Sequence, residues 1–376
     1  MNTLFRSVMS KLVVMGLCAA LLACSGPSRP KPEDVSVVPV LQEVTTRWRA
    51  QIGAVDFPLV VSVHADRVAL ANSQGVVTVL SATTGQDIWR LNLNQALAAG
   101  VGSDGQQVAV VTRDNQLVVL KDGLVQWRQA ISAQSFTAPL IAGGRVFVLT
   151  ADRSVLAFDA SNGAKLWTQQ RPGEPLVLKQ AGVLLPFKNT LVAGLSGRLT
   201  GLDPNTGAIR WESAIATPRG TNDMERLVDL VSPADRVGDV VCARAFQSQI
   251  GCVNAEKGQS VWTRASNGEH GVSGNTNLLI SVLSNGVVQA WNRNNGERLW
   301  ETERLKYRAL SAPLVTPRGV LVADNGGWLY LLSLADGALL NRIKLDGSEL
   351  AAPLVAAGSH HVLVTREGRV MGLQIP

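Results

Sequence analysis

Tyrosine, histidine and cysteine are scarce in this chain, which holds two Tyr, four His and four Cys among 376 residues. His64, His270, His360 and His361 show no metal-ligand spacing, and the adjacent pair points to opposite faces of a strand. All four read as ordinary surface or turn residues. No G-x-S-x-G elbow and no phosphate-binding loop occurs, and no acidic pair stands out as an acid/base couple. The sequence therefore offers no catalytic constellation, and no metal or cofactor is expected. Charge is equally muted. The formal +6 falls to about +4 once Arg6 and Lys11 leave with a leader, and scattered charge of that size argues against a nucleic-acid partner. The apolar stretch at residues 12–22 has eleven residues, too few to span a bilayer.

What is abundant is tryptophan, with nine copies, and it recurs at a fixed place. Gly85 is followed four residues later by Trp89, Gly123 by Trp127, Gly163 by Trp167, Gly207 by Trp211, Gly258 by Trp262 and Gly296 by Trp300. Gly337 opens a seventh copy, in which Asn341 replaces the Trp. The Trp-to-Trp steps are 38, 40, 44, 51 and 38 residues. A period of this size, built from short strands and glycine turns, marks a β-propeller.

The third repeat shows the four-strand grammar. Residues 138–141 read as an inner strand, 146–150 as a second, 155–158 as a third and 165–168 as an outer strand carrying Trp167. Gly143-Gly144, Asp152-Arg153 and Ser161-Asn162-Gly163 supply the turns. Period-2 alternation is blurred, as expected for blades that pack on both faces. An eighth unit begins at Ala352-Pro353-Leu354 and stops at Pro376 without an outer strand. The missing strand sits at the other end, where residues 44–49 include Trp48. The expectation is an all-β, eight-bladed propeller of four-stranded antiparallel blades over residues 44–376, its ring closed by the N-terminal strand. At roughly 41 residues per blade the repeats form one domain.

Residues 1–23 read as a secretion leader ending in Leu21-Leu22-Ala23 before Cys24. That ending resembles the lipobox of bacterial lipoproteins, which implies a lipidated Cys24; Ser25 in place of Asp implies the outer membrane. Residues 24–43 read as a lipidated N-terminus and flexible tether, with Pro27, Pro30, Pro32 and Pro39 preventing a core. Extended, the tether reaches on the order of 50 Å at ~3.1 Å per residue. Cys242 and Cys252 remain in the globular part, on the second and third strands of blade five. If the turn centres on Gln247 they oppose each other on one face. An oxidising compartment then supports a disulfide, the alternative being two small buried thiols.

Two connections break the rhythm. One is Arg171-Pro172-Gly173-Glu174-Pro175 followed by Leu176-Val177-Leu178-Lys179; the other is the long insertion at residues 215–237. Both join an outer strand to the next blade's inner strand, so they emerge at the same end and at successive blade junctions. Long loops on a rigid scaffold commonly carry function, and tolerated insertion is the plainer alternative.

The repeat Leu-x-x-Leu-Asp-x-x-x-Thr-Gly-x-x-x-Trp resembles the propeller of pyrroloquinoline-quinone dehydrogenases. That resemblance implies a periplasmic quinoprotein, but the adjacent Cys-Cys pair and calcium ligands of those enzymes are missing. A small-ligand-binding propeller is a further alternative, which a polar ring facing the axis would favour; the inner strands read mostly Ala, Pro and Leu. Lipobox, tether, eight Trp-docked blades and the two loops together resemble the BamB (YfgL) family of outer-membrane lipoproteins. The resemblance implies a non-catalytic scaffold of the β-barrel assembly (BAM) complex. It implies a protein facing the periplasm, docking the POTRA domains of BamA and assisting folding and insertion of outer membrane proteins. The family's Leu-x-Leu-Arg segment maps onto Leu176, Leu178 and Lys179, and its Arg-Leu-x-Asp-x-Asp segment onto Arg226 and Asp229, with Val231 at the second acidic position. Lysine keeps the charge of arginine and loses its planar fork. Whether such a scaffold positions POTRA domains or offers a sheet edge to unfolded barrel clients stays open at this level.

Overall fold

In each repeat, runs of four or five apolar residues between glycine turns are too short for helices and long enough for strands. The computed structural model describes residues 30–35, 40–171, 176–223, 226–345 and 347–375. Among these, thirty-two strands form eight four-stranded antiparallel sheets. The molecule is an eight-bladed propeller, as its period indicates.

Blade three consists of Leu140–Ala142, Arg145–Leu149, Ser154–Asp159 and Lys165–Gln170, paired in chain order. Its inner strand starts two residues later than the sequence reading placed it, beyond Pro139, which has no N–H to give a ladder. The blurred alternation has a simple origin. Val146, Val148, Leu156 and Phe158 pack towards blade two, against Ala109, Val111 and Val119. Phe147, Leu149, Val155 and Ala157 pack the other way, against Leu191, Ala193 and Leu202 of blade four. Both parities are buried, so the core lies between blades.

The Gly–Trp repeat also has a tertiary meaning. The indole N–H of Trp127 donates to the Ala160 carbonyl of the next blade at 3.0 Å, Trp262 to Arg293 at 2.7 Å and Trp300 to Leu334 at 2.9 Å. Each ring lies over the turn glycine of the following blade. At Gly163, φ is +75°, and an added Cβ would stand 2.7 Å from the Trp127 ring. That glycine is required twice, by its backbone and by its neighbour.

The ring closes through Thr45–Gln51, which pairs antiparallel with Arg369–Gln374. Trp48 donates to the Ala82 carbonyl of blade one at 2.8 Å. Closure also explains the odd seventh copy. Asn341 faces the one blade whose outer turn is replaced by the chain's two ends, and its side-chain amide donates to the Gln42 carbonyl at 2.6 Å. Ahead of that contact, the described part of the expected tether touches the propeller. Val35 is buried among Leu305, Leu310 and Tyr330, and Glu33 pairs with Arg304 at 2.8 Å. Cys24 lies outside the described residues. In blade five, Cys242 opposes Cys252 in the ladder and the two form a disulfide, fully buried, with Gln247 at the turn in a left-handed conformation.

The long insertion is shorter than its sequence suggests. Leu230–Val237 is the inner strand of blade five, with a register shift between Val231 and Asp235. The Ser232-Pro233 bond within it is cis. Proline and the bulge hid the strand from pattern reading.

Candidate functional site

Antiparallel blades put every connection from an outer strand to the next inner strand at one end of the propeller. The loop after blade three and the loop after blade four meet there. Gly182 bridges Val231, and the Ser232 N–H donates to the Ala181 carbonyl at 2.8 Å, so the two segments form a short ladder. Leu227 and Val228 are buried, Val228 beside Ile215 and Leu230, and they anchor the second loop. Arg226 stands exposed just before them.

The structure brings the five expected contact residues to this end, in differing settings. Leu176 and Leu178 are half-buried and Lys179 is exposed. The Asp229 carboxylate is turned between the loops, accepting from the Leu178 N–H at 3.0 Å. Its backbone carbonyl accepts from Phe246 at 3.0 Å. Asp229 also pairs at 3.6 Å with Arg153, a blade-three turn residue whose Nη2 donates to the Leu176 carbonyl at 3.1 Å. Sequence reasoning treated Arg153 only as a turn residue. Val231, at the second acidic position, is buried in the inner strand, where a carboxylate would have no water.

Opposite Val231 in the ladder stands Arg244, fully buried. Its guanidinium donates to the Ser266 carbonyl and, at 3.2 Å, to the Ser266 hydroxyl. Burial pushes it down to about 10. A cation whose pKa falls on folding costs stability below the folded pKa, and the cost fades as pH rises through it. Arg244→Met is therefore expected to raise stability by about 1 kcal/mol at pH 7, the relieved desolvation exceeding two lost hydrogen bonds. The gain should shrink above pH 10. Urea melts at both pH values read it out, and a lower midpoint at pH 7 would refute the argument.

Lys179 lines the mouth of the central channel, a cavity of about 390 Å³. The Ala and Pro that sequence reading placed on inner strands, Ala312 and Ala352-Pro353, line it from just ahead of those strands. The connections add Asp56, His270 and Glu349, and the turns between second and third strands add Asp324 and Arg366, a polar rim that inner-strand reading missed. These acids are spoken for. Asp56 pairs with Arg113 at 2.9 Å, Asp324 with Arg308 at 3.3 Å, and Glu349 with Arg366. Hydrogen bonds from Ser73 and then Arg113 hold Asp56 below the usual carboxylate range. His270 is at the channel rather than in an ordinary surface turn, and burial pushes its imidazole down. Among the described residues no group of three His, Cys, Asp or Glu could hold a metal ion.

A family profile described as outer membrane protein assembly factor BamB matches residues 73–302 and 284–375. The chain belongs to the BamB family. The BamB of Burkholderia pseudomallei is 33% identical over 370 residues, covering 95% of this chain and 96% of that protein. The BamB of Bordetella pertussis is 31% identical over 356 residues, covering 93% and 92%. The crystal structure of BamB from Moraxella catarrhalis superposes with a TM-score of 0.81 at 23% identity, over 88% of this chain and all of that one. Quinohemoprotein alcohol dehydrogenase from Comamonas testosteroni also superposes, with a TM-score of 0.68 at 13% identity over 93% of this chain and 78% of that one. That likeness is one of fold alone. The matching proteins are named outer membrane protein assembly factors, a non-catalytic family.

Proposed function

We propose that this chain is a periplasmic scaffold subunit of the BAM complex, held at the outer membrane by a lipid on Cys24, and that its two-loop surface docks the POTRA domains of BamA. One observation carries the reading: two loops whose bonded residues lie 51 positions apart in sequence are tied side by side at one end of a rigid ring, through the Leu178–Asp229 bond. Leu176 and Leu178 supply half-buried apolar anchors, with Lys179 and Arg226 as exposed cations around them. Small apolar clusters with a polar rim are the usual anatomy of a docking surface.

The test isolates the tagged protein from gently solubilised outer membranes. The parent is expected to bring down a POTRA-bearing barrel protein. The variant carrying Leu176→Ala, Leu178→Ala and Asp229→Ala should lose at least about 90% of it, since interface anchors each contribute ~1–2 kcal/mol or more. Circular dichroism must show that the variant is folded. A second arm, Cys24→Ala, should move the protein to the soluble periplasmic fraction. Undiminished capture by the folded triple variant overturns the surface; a Cys24→Ala protein that stays in the membrane overturns the anchor.

A further inference from the structure

Arg153 occupies a backbone position that the other blades fill differently. It ends the turn between the second and third strands of blade three, its N–H donating to the Thr150 carbonyl at 3.0 Å. The same bond recurs at Gly75, Gly286, Gly327 and Gly368 of blades one, six, seven and eight, and at Asn115 of blade two. These residues all have positive φ, and Arg153 does too, at +61°. A left-handed conformation is free for glycine, tolerable for asparagine and costly for a long side chain. A repeat that accepts arginine here must gain something from the side chain.

The gain is visible in what the guanidinium touches. Arg153 is 7% exposed. It donates to the Leu176 carbonyl of the first loop and faces the Asp229 carboxylate of the second. Asp229 in turn accepts from the Leu178 N–H. Arginine, carboxylate and amide thus form one chain of contacts from blade three through both loops. We infer that Arg153 is a positioning residue: a clasp that holds the two loops in register so that Leu176, Leu178, Lys179 and Arg226 present one preformed surface. The inference rests on the docking reading above and adds a residue that is mostly buried. Its contribution to affinity is preorganisation, because loops already fixed lose less freedom on binding.

The strained backbone supplies an unusual test. Arg153→Gly removes the clasp and gives the turn the residue that four other blades carry at this bond. Melting temperature is therefore expected to stay within a few degrees of the parent, while hydrogen exchange at the Leu178 amide speeds up by about tenfold or more. Exchange in blades one, two and seven should not change. Capture of soluble POTRA domains should weaken about tenfold, as lost preorganisation predicts. Arg153→Lys, which keeps a charge near Asp229, should recover part of both effects. In an Asp229→Asn background, Arg153→Gly should have little further effect on capture, because the two residues act as one unit. Unchanged exchange at Leu178 overturns the clasp, and so does faster exchange with undiminished POTRA capture. If the parent itself captures no POTRA domain, the docking reading fails, and the exchange data still judge the clasp separately.

Discussion

A chain lacking residues 1–51 is expected to lose cooperative melting and to aggregate, whereas a chain lacking only residues 1–40 should melt within a few degrees of the full protein. The difference is one strand. Thr45–Gln51 supplies the outer strand of blade eight and pairs along Arg369–Gln374. Without it Arg369–Gln374 becomes an open edge, the kind of unpaired row that recruits other chains. Trp48, 8% exposed, would also leave the face of Gly85 on blade one. A buried Trp stands for roughly 3–5 kcal/mol on its own, a large share of a domain's usual margin. The shorter truncation removes Val35 and the Glu33–Arg304 pair, and half-exposed ion pairs contribute little. Circular dichroism melts and light scattering on the two truncations decide the matter. Equal, cooperative melts would mean that the ring does not depend on its closing strand.

Trp262→Ala is expected to cost about 3–5 kcal/mol, and Asn341→Ala, at the equivalent place in blade seven, only about 1 kcal/mol. Trp262 is 5% exposed, lies over Gly296 and donates to the Arg293 carbonyl at 2.7 Å. Its removal opens a cavity beside the Cys242–Cys252 bridge, in the cluster that also holds Trp291. Rigid β-sheets collapse poorly into such a hole, so the upper part of the range applies. Asn341 is a smaller side chain that donates to the Gln42 carbonyl. Opposite it in the ladder stands Leu331, where Trp262 has Cys252 and Trp300 has Ala290. Urea denaturation of both variants at one pH gives the ratio. If Asn341→Ala proves as damaging as Trp262→Ala, the closure point carries more than this geometry allows.

The sequence by itself determined the architecture, because a propeller is a one-dimensional repeat. Blade number, strand order and the closing role of residues 44–49 all follow from the spacing of Gly and Trp, and the Cys242–Cys252 opposition follows from one turn. The two loops were legible as breaks in that rhythm. Tertiary structure decided what faces what. The glycine four residues before each Trp serves the Trp of the preceding blade, a pairing that no single repeat contains. Asp229 reads in sequence as a polar contact for a partner, yet its carboxylate lies between the loops because Leu178, 51 residues earlier, brings an amide to it. Arg153 carried one signal, an arginine at a turn position where most other blades place glycine, but only the fold shows the carbonyl and carboxylate that make the substitution worthwhile. Strand periodicity is set by neighbours along the chain and can be read from it. Contacts between blades join residues tens of positions apart, and their geometry exists only once the ring has closed.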